Sequence, residues 1–135
     1  MALTLKNIGL VFAAGALGGL AKGLFAWLGG FLGVNALLGS QFAPALTPLW
    51  LYQHVVWGGI WGFLFLLPLK KISYVSLGII YSLPQTLIAL LVMAPRMGRG
   101  LLAWQQGWTT PILILFFGII WGATTGLWLK WSRES

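Results

Sequence analysis

In a chain of 135 residues whose only acid is Glu134, few side chains can do chemistry. Lys22, Gln53, His54 and Gln85 lie within long apolar runs, and Arg96 and Arg99 follow the third of these. A lysine, a histidine and amide donors in apolar surroundings attract an anion and orient it, or a small neutral solute, by hydrogen bonds. The competing reading is that Lys22 snorkels to the headgroups and His54 is an interface histidine with its own hydrogen bond. A Ser82–His54 hydrolase has no third group to orient the base and no nucleophile-elbow context, so no catalytic residue is expected and the protein is read as not an enzyme. One histidine, no cysteine and one terminal carboxylate cannot build a metal site. His54, with Gly58 one turn on and Trp57 and Trp61 beside it, could ligate a haem or chlorin. A lone histidine on an aromatic helix is more often structural, and no cofactor is expected. Without Asp or Glu in any span, a carboxylate proton relay or Na⁺ site has no candidate.

The segments that must position these residues are membrane-spanning. Apolar residues make up 59% of the chain and charged residues 7%, and the mean hydropathy of +0.93 excludes an ordinary soluble domain. Leu49 to Leu69 is an uncharged run of the length needed to cross a ~30 Å hydrocarbon layer as a helix. Four such runs, about 8–30, 49–68, 72–93 and 110–130, predict an all-α polytopic membrane protein, a four-helix bundle in one domain. The first run could pass for a signal peptide, with Ala14-x-Ala16, but its hydrophobicity continues to Leu32 and it is read as an uncleaved span. Pro48 suits the first turn of span two, Pro68 helps end it, and Pro84 predicts a kink beside Gln85. The connections 33–48 and 94–109 are too apolar for water-exposed loops and read as interfacial or re-entrant segments.

Five cationic residues, Lys6, Lys70, Lys71, Lys130 and Arg133, fall on one side and Arg96 and Arg99 on the other. The positive-inside rule then makes both termini cytoplasmic, in a bacterial inner membrane, with Trp50, Trp104 and Trp108 at the outer interface. At ~1.5 Å rise per residue, Lys22 lies ~24 Å and Gln85 ~20 Å above the inner boundary, with His54 ~8 Å below the outer one. All three fall in the outer half, beneath Arg96 and Arg99.

The two halves resemble each other when displaced by about 64 residues. Leu37-Leu38-x-x-Gln41 matches Leu101-Leu102-x-x-Gln105, Thr47-Pro48 matches Thr110-Pro111, and Val56-Trp57-Gly58-Gly59 matches Ile120-Trp121-Gly122-Ala123. Spans one and three match poorly. Two spans per unit would make the duplication parallel, with pseudo-twofold symmetry about the membrane normal. Small-residue ridges at Gly15, Gly19 and Gly23 and at Gly118, Gly122 and Gly126 predict close helix contacts, self-association as a homo-oligomer, or a place in a larger membrane complex. Trp57, Trp61 and Trp121 lie too deep for an interfacial belt and read as packing against these ridges, or as a box for a quinone, a lipid tail or an aromatic ligand. The lipid bilayer is the expected partner. The scattered basic residues form no platform for nucleic acid.

From His54 onward the chain resembles YagU-type bacterial inner-membrane proteins. The shared features are a histidine opening an apolar span, the short basic turn Leu69-Lys70-Lys71-Ile72, a third span carrying Gln85, and the Pro95-Arg96-Met97-Gly98 exit. The resemblance implies a small polytopic inner-membrane protein associated with acid tolerance and transfers no functional residue. Two functions remain open. The first is a non-enzymatic channel or carrier for a small anion or neutral solute, with Lys22, His54, Gln85, Gln53, Arg96, Trp57 and Trp61 along its path. The second is an accessory subunit that binds a partner membrane protein, lipid or pigment.

Overall fold

The computed structural model describes residues 4–44, 46–67, 72–96, 98 and 100–134. Its elements are helical: α1 (Leu5–Phe31), the short α2 (Val34–Leu37), α3 (Pro48–Gly62) with a 3₁₀ extension (Phe63–Leu66), α4 (Tyr74–Ile88), α5 (Ala94–Arg96) and α6 (Thr110–Glu134). Local chemistry starts three of the long helices. The hydroxyls of Thr4, Thr47 and Ser73 accept from the backbone N–H groups of Asn7, Trp50 and Ser76 at 3.1–3.2 Å, and Pro48 takes the first-turn position where a missing N–H costs little. Four helical stretches are long and apolar enough to cross a membrane, Leu5–Phe31, Pro48–Leu66, Tyr74–Arg96 and Thr110–Ser132, and they pack together as a bundle. The protein is a multi-pass membrane protein. The third span runs past residue 93, because a π turn at Ala89–Met93 carries the helix into α5. The basic turn at Lys70 and Lys71, with Pro68, lies outside the described residues, as do Met97 and Arg99 of the exit segment.

Glycine sets the helix pairing. With no apolar driving force between helices in lipid, close backbone approach supplies the packing energy. A Cβ at Gly15 would overlap the Gly58 carbonyl, one at Gly62 the Val11 carbonyl, and one at Gly19 the His54 carbonyl, so α1 and α3 touch backbone to backbone. The same crossing recurs in the second half, where Gly122 meets the Gly78 carbonyl, Gly126 the Tyr74 carbonyl, and Gly118 the side chains of Ser82 and Thr86. Contact for contact, 15 with 58, 11 with 62 and 19 with 54 reappear as 78 with 122, 74 with 126 and 82 with 118. The parallel duplication therefore extends to spans one and three, whose sequences had matched poorly. Both ridges are occupied inside the chain, so an oligomer would need another surface.

The joint between the two units is one-sided. Gly18 of α1 packs against Trp121 and Thr125 of α6, and α1 and α6 contact each other extensively. Their counterparts α3 and α4 hardly touch, and the second span reaches α4 only through its 3₁₀ end. There Phe65 meets Tyr81 edge-on, 5.1 Å between ring centroids, and also faces Tyr74 and Trp121. These rings, with Val11, Ala14, Leu77 and Leu129, form the core at the end of the bundle near the termini. The pseudo-twofold relation is broken on the opposite flank, where α3 splays from α4.

The two connections cover the distal end together. Asn35, 2% exposed, donates from Nδ2 to the Phe42 carbonyl at 2.8 Å, and Phe42 packs on Ala26, Leu113 and Phe117. The Ser40 and Thr110 hydroxyls bond at 2.5 Å, and Gln41 N–H donates to the Gln106 carbonyl, also at 2.5 Å. Gly107, at φ +125°, lies against the Gly39 carbonyl, where a side chain would be both strained and overlapped. Residues 33–44 therefore form a lid latched to the second connection. Thr110→Val should leave the buried Ser40 hydroxyl with only the Phe42 N–H that it accepts at 3.1 Å and cost about 1–3 kcal/mol, read as a lowered melting temperature in mild detergent, whereas the exposed Gln53→Ala should leave it in place.

Candidate functional site

Lys22 projects from α1 one turn beyond Gly18, which faces α6, and next to Gly19 and Gly23, which face α3. It is half-buried, and among the described residues no carboxylate and no hydrogen-bond acceptor holds its ammonium. His54 lies across the α1–α3 crossing from the residue after Lys22, since a Cβ on Gly23 would stand 3.5 Å from the His54 Cβ and Cγ. The Nδ1–H of His54 donates to the Trp50 carbonyl at 3.0 Å, and the imidazole lies against the Trp50 ring with centroids 4.2 Å apart. That bond leaves Nε2 as the ring's free position. The space beside Gly58 expected for a flat macrocycle is filled by the backbone of Gly15 and Gly19.

The second group of polar residues lies on α4. Pro84 has no N–H for the Ile80 carbonyl, and the π turn begins five residues later, so the helix is irregular twice in its distal half. Tyr81, Ser82, Gln85 and Thr86 surround the proline and are all buried, with Gln85 7% exposed. Ser82 satisfies itself by donating to the Ile79 carbonyl at 2.6 Å. Tyr81 Oη, Gln85 Nε2 and Thr86 Oγ1 have no partner. Buried polar groups are bonded in the great majority of cases, so three unpartnered groups within six residues of one broken span make this stretch the candidate site. Each can donate a proton and Gln85 Nε2 can only donate, so the chemistry asked for is that of an acceptor.

The duplication relates these two places. Taking the glycine crossing as the register, Lys22 of α1 corresponds to Gln85 of α4, with Gly19 and Gly23 beside the one and Ser82 and Thr86 beside the other. The remaining expected site residues lie elsewhere. Gln53 and Arg96 are exposed, and Trp57 is 58% exposed on the outer face of α3. Trp61, half-buried, leans on the core near the termini. Arg99 is outside the described residues. Tyr81 and Thr86 were not singled out from sequence, although the spacing of Tyr81 and Gln85 across Pro84 is a signal that could have pointed to them. No protein-family model, curated protein or solved structure matches the chain.

Proposed function

We propose that this protein is a non-enzymatic membrane channel or carrier for a small anion. The observation that carries the reading is the imbalance inside the bundle: Lys22 and the unpartnered donors of Tyr81, Gln85 and Thr86 are present, and no described span holds a carboxylate. A cation and unpartnered donors with no carboxylate among them recognise negative charge, and in low dielectric that preference is strong. The latched segments 33–44 and 100–109 would act as the gate at the outer end. The excess of Lys and Arg on the terminal side supports cytoplasmic termini in a bacterial inner membrane.

Anion flux from liposomes tests the proposal, with halides, nitrate and formate set against neutral solutes. Flux should be anion-selective, and Lys22→Ala should lower it at least tenfold while the exposed Arg96→Ala leaves it within about twofold, since a rim charge contributes little. Absence of flux from folded protein, or flux indifferent to Lys22, would overturn the reading. A second role, as an accessory subunit, is favoured by one feature, the outer face of α3 with Trp57 exposed. Copurification of a membrane partner at fixed stoichiometry, lost in Trp57→Ala, would establish it.

A further inference from the structure

Lys22 lies on a ridge of α1 formed by Gly18, Lys22, Ala26 and Gly30, each one turn beyond the last. On the terminal side of the lysine, Gly18 lies under Trp121 and Thr125 of α6. On the distal side the ridge is covered by the lid. Ala26 is buried in one cluster with Phe42, Leu113 and Phe117, against which Trp50 of α3 and Ile120 of α6 also pack. A Cβ on Gly30 would stand 2.7 Å from the Ala43 Cα. Phe42 and Ala43 therefore run along α1 about one and two turns beyond Lys22, and the Phe42 ring, its centroid 6.1 Å from that of Phe117, sits where α1, α3 and α6 come together. From Lys22, α1 continues to Phe31, ~14 Å at helical rise, so the lysine is well below the distal surface.

We infer that the Phe42 ring is the plug of the outer gate, closing the way from the distal surface to Lys22, and that it is withdrawn when the lid parts from α6 while the bundle stays intact. The inference rests on the anion passage proposed above and names the residue that regulates it. Short polar side chains hold Phe42 in its seat. Its N–H donates to Ser40 Oγ at 3.1 Å, its carbonyl accepts from Asn35 Nδ2 at 2.8 Å, and Ser40 is bonded in turn to Thr110 at the start of α6. Parting the Ser40–Thr110 and Gln41–Gln106 bonds frees the segment without touching the glycine crossings that hold the spans together. The second unit has no such plug. In the register that aligns Gln41 with Gln105, Phe42 answers to Gln106, whose buried Oε1 has no partner, just as Lys22 answers to Gln85. The apolar ring is present in the unit that carries the cation and replaced by an amide in the unit that does not. An apolar constriction closes a path by excluding water from it, which is what a ring in this place does.

The chain has no cysteine, so a single introduced thiol reports access. The test is the rate at which a water-soluble, membrane-impermeant thiol reagent modifies Lys22→Cys in proteoliposomes, with Arg96→Cys, exposed at the same end, as the reference. Phe42→Ala should raise the Lys22→Cys rate about tenfold or more and leave Arg96→Cys within about twofold, whereas Phe42→Leu, which keeps an apolar plug, should raise it less than about threefold. Thr110→Val unlatches the lid and keeps the ring; it should raise the rate about threefold or more, and it carries the test where Phe42→Ala does not fold. Gly122→Ala loosens the α4–α6 crossing without touching the lid and should leave the rate unchanged, which separates withdrawal of the plug from general loosening. In the chain that keeps Lys22, Phe42→Ala should raise anion flux about fivefold or more, and adding Lys22→Ala should cancel the rise. A Lys22→Cys rate indifferent to Phe42→Ala and to Thr110→Val, or raised as much by Gly122→Ala, would overturn the plug whatever the flux. A rate raised as expected with no anion flux from any variant would overturn the anion reading instead and leave Phe42 as the cover of Lys22.

Discussion

Trp121→Ala should be the most destabilising single substitution in the chain, at about 3–5 kcal/mol, the range for deleting a buried tryptophan. The ring is fully buried, and its Nε1–H is shared between the Gly15 carbonyl at 3.1 Å and the Gly58 carbonyl at 3.3 Å. One side chain on α6 thereby ties together the α1–α3 crossing and the joint between the two units. In lipid little of that stabilisation comes from the hydrophobic effect, because a lipid-exposed indole is no worse solvated than a buried one; the loss is of dispersion contacts and of the bond. Trp121→Phe keeps most of the ring and removes only the N–H, so it should cost about 0.5–1.5 kcal/mol for the bond and some packing. Trp57→Ala, at the equivalent position in the first unit but 58% exposed, should cost under about 1 kcal/mol. Reversible unfolding in mixed detergent micelles reads all three. Equal losses for Trp121→Ala and Trp57→Ala would contradict the one-sided joint.

The second large effect lies in the crossings. Gly122→Ala places a methyl on the Gly78 carbonyl and within 3.0 Å of the Ile79 backbone, where no flexible side chain can give way. The helices must separate, at about 1–3 kcal/mol for overpacking, enough to reverse the roughly 0.5–1 kcal/mol that alanine gains over glycine in a helix. Gly9→Ala is the opposite case, with nothing within 4 Å of the added methyl, and should be neutral or stabilising by that propensity alone. The same unfolding measurement checks both. If the duplication holds as a physical repeat, Gly58→Ala should resemble Gly122→Ala, since it too meets a backbone carbonyl and a neighbouring glycine. Gly23→Ala should be milder, because the added methyl would make ordinary contacts with Leu51 and His54 at 3.4–3.5 Å.

The site divides in the same way between local and tertiary causes. That Lys22 lacks a carboxylate partner within the spans was legible, because the chain has no acid before residue 134. That Gln85 would matter was legible from its place beside Pro84. Its burial together with Tyr81 and Thr86 was not, because which stripe of an apolar helix turns inward depends on the neighbour it meets, and the stripes of α4 are all apolar or weakly polar. Arg96 and Gln53 were grouped with Lys22 by depth alone, and depth carries no information about azimuth.

From sequence alone came the membrane, the four helices, the proline that opens span two, and a duplication visible where Thr-Pro and Trp-Gly recur, since length, hydropathy and turn chemistry are properties of short stretches of chain. Only the tertiary structure decided that Gly15 and Gly78 are the same position, that one tryptophan of the pair is a buried keystone and the other faces outward, and that the two connections latch into a lid. Helices in lipid choose partners by backbone fit between surfaces distant in sequence, and a difference in splay that leaves α3 apart from α4 is written in no single segment.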